Sequence, residues 1–406
     1  VTADQATLAQ PLAGMLVIDA SRMMPGAVLA RNLIDLGARV IKVEDPVVGD
    51  PMRLTPPLVG GIGVGFCVYY RGAESLRLDL RTSKGMDRLR GLLARADVFV
   101  ESFRPGTLAR WGLRLDRSEA PSEPRAADEQ VEPAPTGQAD DVEGVPTQLV
   151  SCSLPAFGDD DKRVAHDLNV VGLTGLLGQL PKHLLSHGSG NDIPRMLIGD
   201  VLTGLLATSS VLAALLARAR SGRGQHIHQT MLGAPLPLLT WAWADRAAGG
   251  GGMLETALAG RVPCYRCYRC ADGLLISVGC LEPKFWASLC EALERPQYAA
   301  LGLDLGERGR AAADAIAELF ASQAREHWLR VLGDKDLPVA AVHDLDAARS
   351  ETILASAGLL ERTPMPNGGT LSVPGPALAA LGRTPSRPAP RLGEHDASLF
   401  AEFGIT

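Results

Sequence analysis

Four residues have the types and settings that acid–base chemistry needs. His166 and Asp167 are adjacent in Ala165-His166-Asp167-Leu168-Asn169, after a polar loop and ahead of an apolar run punctuated by glycine. Asp200 lies in the otherwise apolar MLIGDVLTGLL, where a bare carboxylate is costly to bury unless it is paired or used. Glu282 stands in CLEPKFW, at the head of another expected helix. Three carboxylates and an imidazole suit general acid–base work, although spacing alone does not bring them together. Each also has an ordinary reading: Asp167 suits a helix cap and His166 a solvated neighbour.

Cys264, Cys267 and Cys270 form CxxCxxC, a spacing that invites an iron–sulfur or zinc site. If CYRCYRC is a strand, side chains alternate, so Cys264 and Cys270 face one way and Cys267 the other. No compact ligand set arises, and no metal is expected. Seven cysteines without an export signal point to reduced thiols.

The elements that must position these residues begin with MLVIDA, Met15 to Ala20, a short buried strand. A helix follows over Pro25–Leu36, ended by Gly37, and then a second strand, Arg39–Glu44. An acidic residue closing the second strand of such a βαβ unit resembles a dinucleotide-binding start. The turn, however, is SRMMPG, without the GxGxxG that lets backbone reach a pyrophosphate, so a nicotinamide cofactor is not expected. The GxGxG at Gly61 to Gly65 follows no clear strand-to-helix junction. The pattern continues with a helix over Ser83–Arg95 and strands over Asp97–Phe103 and Gln148–Leu154, which builds a doubly wound α/β sheet. Helices are expected around Leu197–Arg220 and over Lys284–Leu293 and Arg310–Leu332. Ala271-Asp272-Gly273 marks a hairpin between Pro263–Tyr268 and Leu274–Val278.

Composition narrows the class. The 406 residues are 46% apolar and 21% charged, enough for large buried cores in two or three domains. A net charge of −6 argues against a nucleic-acid partner. Residues 116–146 hold nine acidic residues, two arginines and five prolines, with three valines as the only large apolar side chains. That composition reads as an insert without fixed structure. Without its −7 the rest of the chain carries +1, which leaves room for a polyanionic ligand. The uncharged run Val201–Ala217 is shorter than the roughly 20 residues of a membrane span and reads as a core helix, so no membrane partner is expected. The start of the chain lacks a secretory pattern, which makes the cytoplasm the expected address.

Five segments together resemble the family III CoA-transferase and α-methylacyl-CoA racemase superfamily, the CaiB/BaiF-like proteins. They are the opening βαβ unit through Asp45-Pro46, then ADVFVESFRPGTLARWGL, AHDLN, ARSGRGQ and RPAPRLGEHDASL. The resemblance implies an α/β fold with a Rossmann-like large domain built from both termini and a smaller α+β domain, in an interlocked homodimer. The active site would then lie between the large domain of one chain and the small domain of its partner. Residues 1–200 would open the large domain, 201–224 form a connecting helix, 225–332 make the small domain and 333–406 return to the large one. No tightly bound cofactor is implied. Coenzyme A would enter as the acyl thioester substrate, with Arg22, Arg71 and Arg104 on CoA-contacting positions.

Two branches share this fold. In transferases the Asp of the pair, here Asp167, is a nucleophile that takes the acyl group as an anhydride. In racemases the His, here His166, and the Asp of a Gly-Asp pair, here Asp200, exchange the proton on carbon 2, supported by Glu282. Gly199-Asp200 and LEPKF favour the racemase branch. A non-catalytic CoA-binding protein is the third reading, since YRGAES puts Ala73 and Glu74 where the family has Lys and Arg, and His228 replaces an Asp. On the racemase reading, Asp200 in an apolar wall should have a raised pKa and donate, while His166 accepts. Backbone N–H groups opening the helix at Asp167 would stabilise an enolate.

Overall fold

A computed structural model describes residues 10–115, 145–158, 161, 163–180, 195–376, 378 and 387–405. The chain forms two compact units, one of residues 1–237 and 358–406, the other of residues 238–357. Residues 116–144, most of the acidic segment, lie outside the described residues. Val145, at that segment's end, is only 7% exposed and packs in the core. The expected insert therefore ends earlier than 146, because Val145 is already part of the core, one turn ahead of a buried strand.

In chain order the first unit runs β1 (Leu16–Asp19), α1 (Met24–Asp35), β2 (Arg39–Glu44), a short hairpin of β3 (Leu58–Val59) and β4 (Ile62–Gly63), and α2 (Val64–Tyr69). It continues with β5 (Glu74–Arg77), α3 (Ser83–Leu93), β6 (Val98–Glu101), α4 (Thr107–Arg110), β7 (Val150–Ser153), α5 (Asp167–Leu173), α6 (Ile198–Ser221) and β8 (His226–His228). Six strands make one sheet in the order β5-β2-β1-β6-β7-β8, with every pairing parallel. Strands buried on both faces read as apolar runs such as LVID and VFVE, as a sheet covered on both sides requires. Leu33, Phe66 and Val211 belong to one core cluster, and Leu89, Phe99 and Leu399 to another.

The strand order reverses between β1 and β6, since the chain winds outward through β2 to β5 and then returns through β6 to β8. In open parallel sheets the crevice outside the carboxyl ends at such a point is where ligands bind. Helix α6 has 24 residues, longer than the apolar run expected from sequence, and by length and composition could cross a membrane. Here it packs along α1, with Ala207, Val211 and Ala214 fully buried. Gly204 makes that approach possible, because a Cβ there would overlap Val28 and the Pro25 carbonyl.

In the second unit an antiparallel sheet joins β9 (Tyr265–Arg269), β10 (Leu275–Gly279) and β11 (Val339–Val342) in the order β11-β10-β9. Cys264 and Cys270 are buried and Cys267 is exposed, the alternation that a strand imposes. Among the described residues, no cluster of three or more His, Cys, Asp or Glu could hold a metal ion. The helix expected over 310–332 is two helices, Glu307–Ala321 and Arg325–Leu332. The break follows from the hairpin turn: Asp272 accepts a hydrogen bond from the Arg325 N–H at 3.0 Å, and the Gln323 carbonyl accepts from Ala271.

Candidate active site

The site starts from two helix N-termini that meet. His166 is the extended residue before α5, and its N–H donates to the Asn169 side chain at 3.0 Å, one half of a capping box. Its imidazole is exposed. Asp167, the first helical residue, is 8% exposed and turns its carboxylate toward α6. There Oδ1 accepts from the Asp200 N–H at 2.9 Å, across 33 residues of sequence. The residue preceding α6, Leu197, offers no side-chain oxygen, so Asp167 supplies the cap that α6 lacks.

Gly199 lets the carboxylate come this close. A Cβ there would stand 3.2 Å from Asp167 Oδ1 and 3.4 to 3.5 Å from Val170 and Val171. The Asp200 side chain, in the first turn of α6, is partly buried, and its carboxyl is pushed up to about 7. Burial is the larger cause and the negative charge of Asp167 the second. A carboxyl poised there can hold or release a proton near neutral pH. Asp167 also lines an apolar recess made by the α5 face, the chain after it and the lead into α6.

A second feature occupies the crevice where the strand order reverses. A cavity of about 390 Å³ opens beyond β1, β2, β5 and β6, with Ser21, Arg22, Arg81, Ser102 and Arg104 in its lining. The Arg22 N–H donates to Ser102 Oγ at 2.8 Å, and its guanidinium lies 5.7 Å from the Phe103 ring centre. Its floor holds a buried charge cluster that sequence reasoning missed. Lys42, fully buried, lies 3.4 Å from Asp19 and 3.2 Å from Asp50 and donates to the Ser21 carbonyl. Burial lowers its pKa, but the charges of Asp19, Asp50 and Glu44 more than offset this and leave it raised. The signal was a lysine inside the buried strand RVIKVE, a placement that demands partners.

Arg71 is not available to a ligand as expected. It is 2% exposed and forms a two-point pair with Glu361, at 2.7 and 2.6 Å, with Asp35 at 3.6 Å. A guanidinium so enclosed serves the core. Glu74 pairs with Arg39 at 2.7 Å, and Arg39 also holds Glu402. Glu282 belongs to the second unit, exposed, immediately before the helix Pro283–Ala292. The structure thus brings Asp167 and Asp200 together beside His166 and gathers Arg22 and Arg104 in one cavity.

Residues 12–122 and 137–396 match CoA-transferase family III. The chain belongs to this family. Within the wider family III CoA-transferase and acyl-CoA racemase superfamily, its relatives include the succinyl-CoA:glutarate CoA-transferase of Mus musculus. That protein is 26% identical over 407 residues, covering 97% of this chain and 86% of the relative. The α-methylacyl-CoA racemase of Mus musculus is 28% identical over 419 residues, covering 97% and 94%. Among solved structures, Rv3272 of M. tuberculosis superposes with a TM-score of 0.75 at 26% identity, over 96% of this chain and 99% of that one. A CAIB/BAIF family protein from Brucella suis shares the fold, with a TM-score of 0.75 at 24% identity and coverages of 97% and 99%. Family III membership accounts for the mixed α/β architecture around a parallel sheet.

Proposed function

We propose that this protein moves a proton on and off carbon 2 of a 2-methylacyl-CoA thioester, an α-methylacyl-CoA racemase-type reaction. The observation that carries the proposal is the Asp200 carboxyl, pushed up to about 7, on a residue whose backbone N–H donates to Asp167 Oδ1. A thioester's carbon-2 proton is weakly acidic, so its removal needs a base on one face and its return an acid on the other. In one direction His166 takes the proton, leaving an enolate, and protonated Asp200 delivers its own to the opposite face. In the reverse direction the roles exchange. Asp167 acts as a positioning residue, holding the start of α6 and keeping Asp200 protonatable. Coenzyme A is substrate, not a resident cofactor, and its phosphates suit the crevice beside Arg22 and Arg104.

The proposal includes a homodimer whose large domain is Rossmann-like and built from both termini. Leu205 and Leu216 on α6 remain 38% and 59% exposed, which supports a covered apolar face in the assembled protein. One observation favours a second reading, CoA transfer through an anhydride on Asp167: Asp167, not Asp200, lines the apolar recess.

Incubation of one enantiomer of a 2-methylacyl-CoA in deuterium oxide separates the two. Proton transfer predicts deuterium at carbon 2 with loss of optical purity, abolished by His166→Ala or Asp200→Asn and reduced less by Asp167→Asn. A hydroxylamine-sensitive adduct on Asp167, with CoA passed to a free acid and no deuterium incorporated, would overturn it.

A further inference from the structure

The proton-transfer reading leaves unused the buried charge cluster under the crevice, and that cluster grips one turn of the backbone. The Lys42 ammonium donates to the Ser21 carbonyl. Asp19 accepts from the Ser21 N–H at 2.8 Å and from its hydroxyl at 2.5 Å, while Tyr70 donates to the other Asp19 oxygen at 3.0 Å. Ser102 Oγ accepts from the N–H of the next residue, Arg22. The chain leaves this grip at Met23, with φ of +65° and ψ of −161°. Glycine adopts that backbone readily, but a residue with a Cβ enters it only when its surroundings compel it. Gly26 closes the turn, because a Cβ there would overlap Ser21 Oγ. The turn is therefore held at both ends and strained in the middle.

What the strained residue connects gives it a task. On one side stands Arg22, in the lining of the crevice. On the other, Met23 opens α1, and the Pro25 carbonyl in the first turn of α1 meets α6 at Gly204, one helical turn beyond Asp200. We propose that Lys42 is a positioning residue which, together with Asp19, holds Met23 in its strained conformation and so fixes the spacing between Arg22 and Asp200. The inference rests on the proton-transfer reading for the roles of Arg22 and Asp200, and adds to it the residues that keep the two in register. A thioester gripped at Arg22 presents carbon 2 to Asp200 only while that spacing holds, and a misplacement of about 1 Å costs on the order of 100-fold in rate. Relaxation of Met23 to an ordinary negative φ would reorient the peptides on either side and shift Arg22 against α1.

Met23→Gly supplies the test, because glycine adopts the same backbone without being forced. Lys42→Met is combined with Asp50→Asn, so that Asp50, 3.2 Å from the ammonium, is not left as a bare buried charge. We expect this pair to raise the dissociation constant of CoA about 10-fold by calorimetry and to lower kcat for carbon-2 exchange about 100-fold. Adding Met23→Gly should restore both to within about 3-fold of the parent, since the Asp19 and Ser102 bonds suffice for an unstrained turn. Adding Met23→Ala should restore neither. Equal losses with and without Met23→Gly would reduce Lys42 to a structural role and overturn the inference. In the parent background Met23→Gly should unfold in urea at a midpoint no lower than Met23→Ala, the reverse of the usual order. Met23 is 39% exposed, so both truncations remove little packing. A clearly higher midpoint for Met23→Ala would overturn the inference too, and this comparison decides it if the Lys42 pair does not fold. A parent that exchanges no deuterium would reject proton transfer, while rescue of CoA affinity by Met23→Gly would still uphold the held turn.

Discussion

Asp200 is the position where function and stability pull apart, and the sign and size of that conflict follow from the structure. Its carboxyl is pushed from an ordinary 3.8 to about 7, by burial first and by Asp167 second. In the unfolded chain the same group ionises near its ordinary value. Between those values the folded protein binds more protons than the unfolded chain, so stability falls as pH rises from about 4 to about 7, then stays level. At ~1.4 kcal/mol for each tenfold change in proton affinity, the ceiling of this penalty is about 4 kcal/mol. The side chain is only partly buried, and solvent screening shrinks the figure. A carboxylate in the first turn of a helix also regains ~0.3 to 1 kcal/mol from the helix dipole. A net cost of about 2 kcal/mol remains once the group is ionised.

Asp200→Asn keeps the shape and removes the charge. It should therefore be more stable than the parent by about 2 kcal/mol at pH 8.5 and by about half that at pH 5.5, while losing carbon-2 exchange. Urea unfolding at the two pH values measures this, at one fixed protein concentration because the proposed dimer would be stabilised by its own concentration. A variant no more stable than the parent at pH 8.5, or a gap that narrows as pH rises, would refute the reasoning. Asp167→Asn removes the smaller of the two causes, so the limb of the pH–rate profile that belongs to Asp200 should move to lower pH.

Gly199→Ala should lower kcat by about 10-fold with little change in KM, since the new Cβ presses on Asp167 Oδ1 and displaces the cap rather than the CoA contacts. Arg104→Ala should raise the dissociation constant for CoA by about 10- to 100-fold, the loss of one charge-assisted bond, with kcat at saturation within a few-fold of the parent. Arg71→Met should do the reverse: CoA affinity measured by calorimetry stays within a few-fold, while urea unfolding shows a loss of about 3 kcal/mol from removing the two-point partner of Glu361.

Local signals were legible wherever they were strong. β2 spans Arg39–Glu44 as its pattern predicts, and the helix before it ends near Gly37, which adopts a φ of +98° that favours glycine. The helix start at His166-Asp167 and the apolar setting of Asp200 were both apparent. The signals that failed are long-range or short. Gly60 and Gly61, at φ of +58° and +82°, turn a hairpin whose strands have two residues each, too few for alternation to register. Arg71 and Glu361 are 290 residues apart, so nothing near Arg71 reveals that its charge is already neutralised in the core. The Asp167–Asp200 bond likewise depends on α5 and α6 meeting end to end, which the spacing of neither helix specifies.

The departures from the family pattern at Ala73 and Glu74 are absorbed by the fold. Ala73 is 5% exposed, and Glu74 is tied through Arg39 to Glu402, so this edge of the sheet is held by ion pairs rather than kept free for phosphate. Arg81 is also engaged, with Asp79 at 2.7 Å and Asp45 at 3.5 Å. On the proposed reading, phosphate binding would fall to Arg22 and Arg104, which line the crevice between β1 and β6. Arg22 is fixed through its backbone to Ser102 and stacked near Phe103, which lowers the ordering cost of binding an anion. Fewer cations held in better order can replace a larger, looser set. The divergence at positions 73 and 74 is thus compatible with a working CoA enzyme and does not by itself mark a lost one.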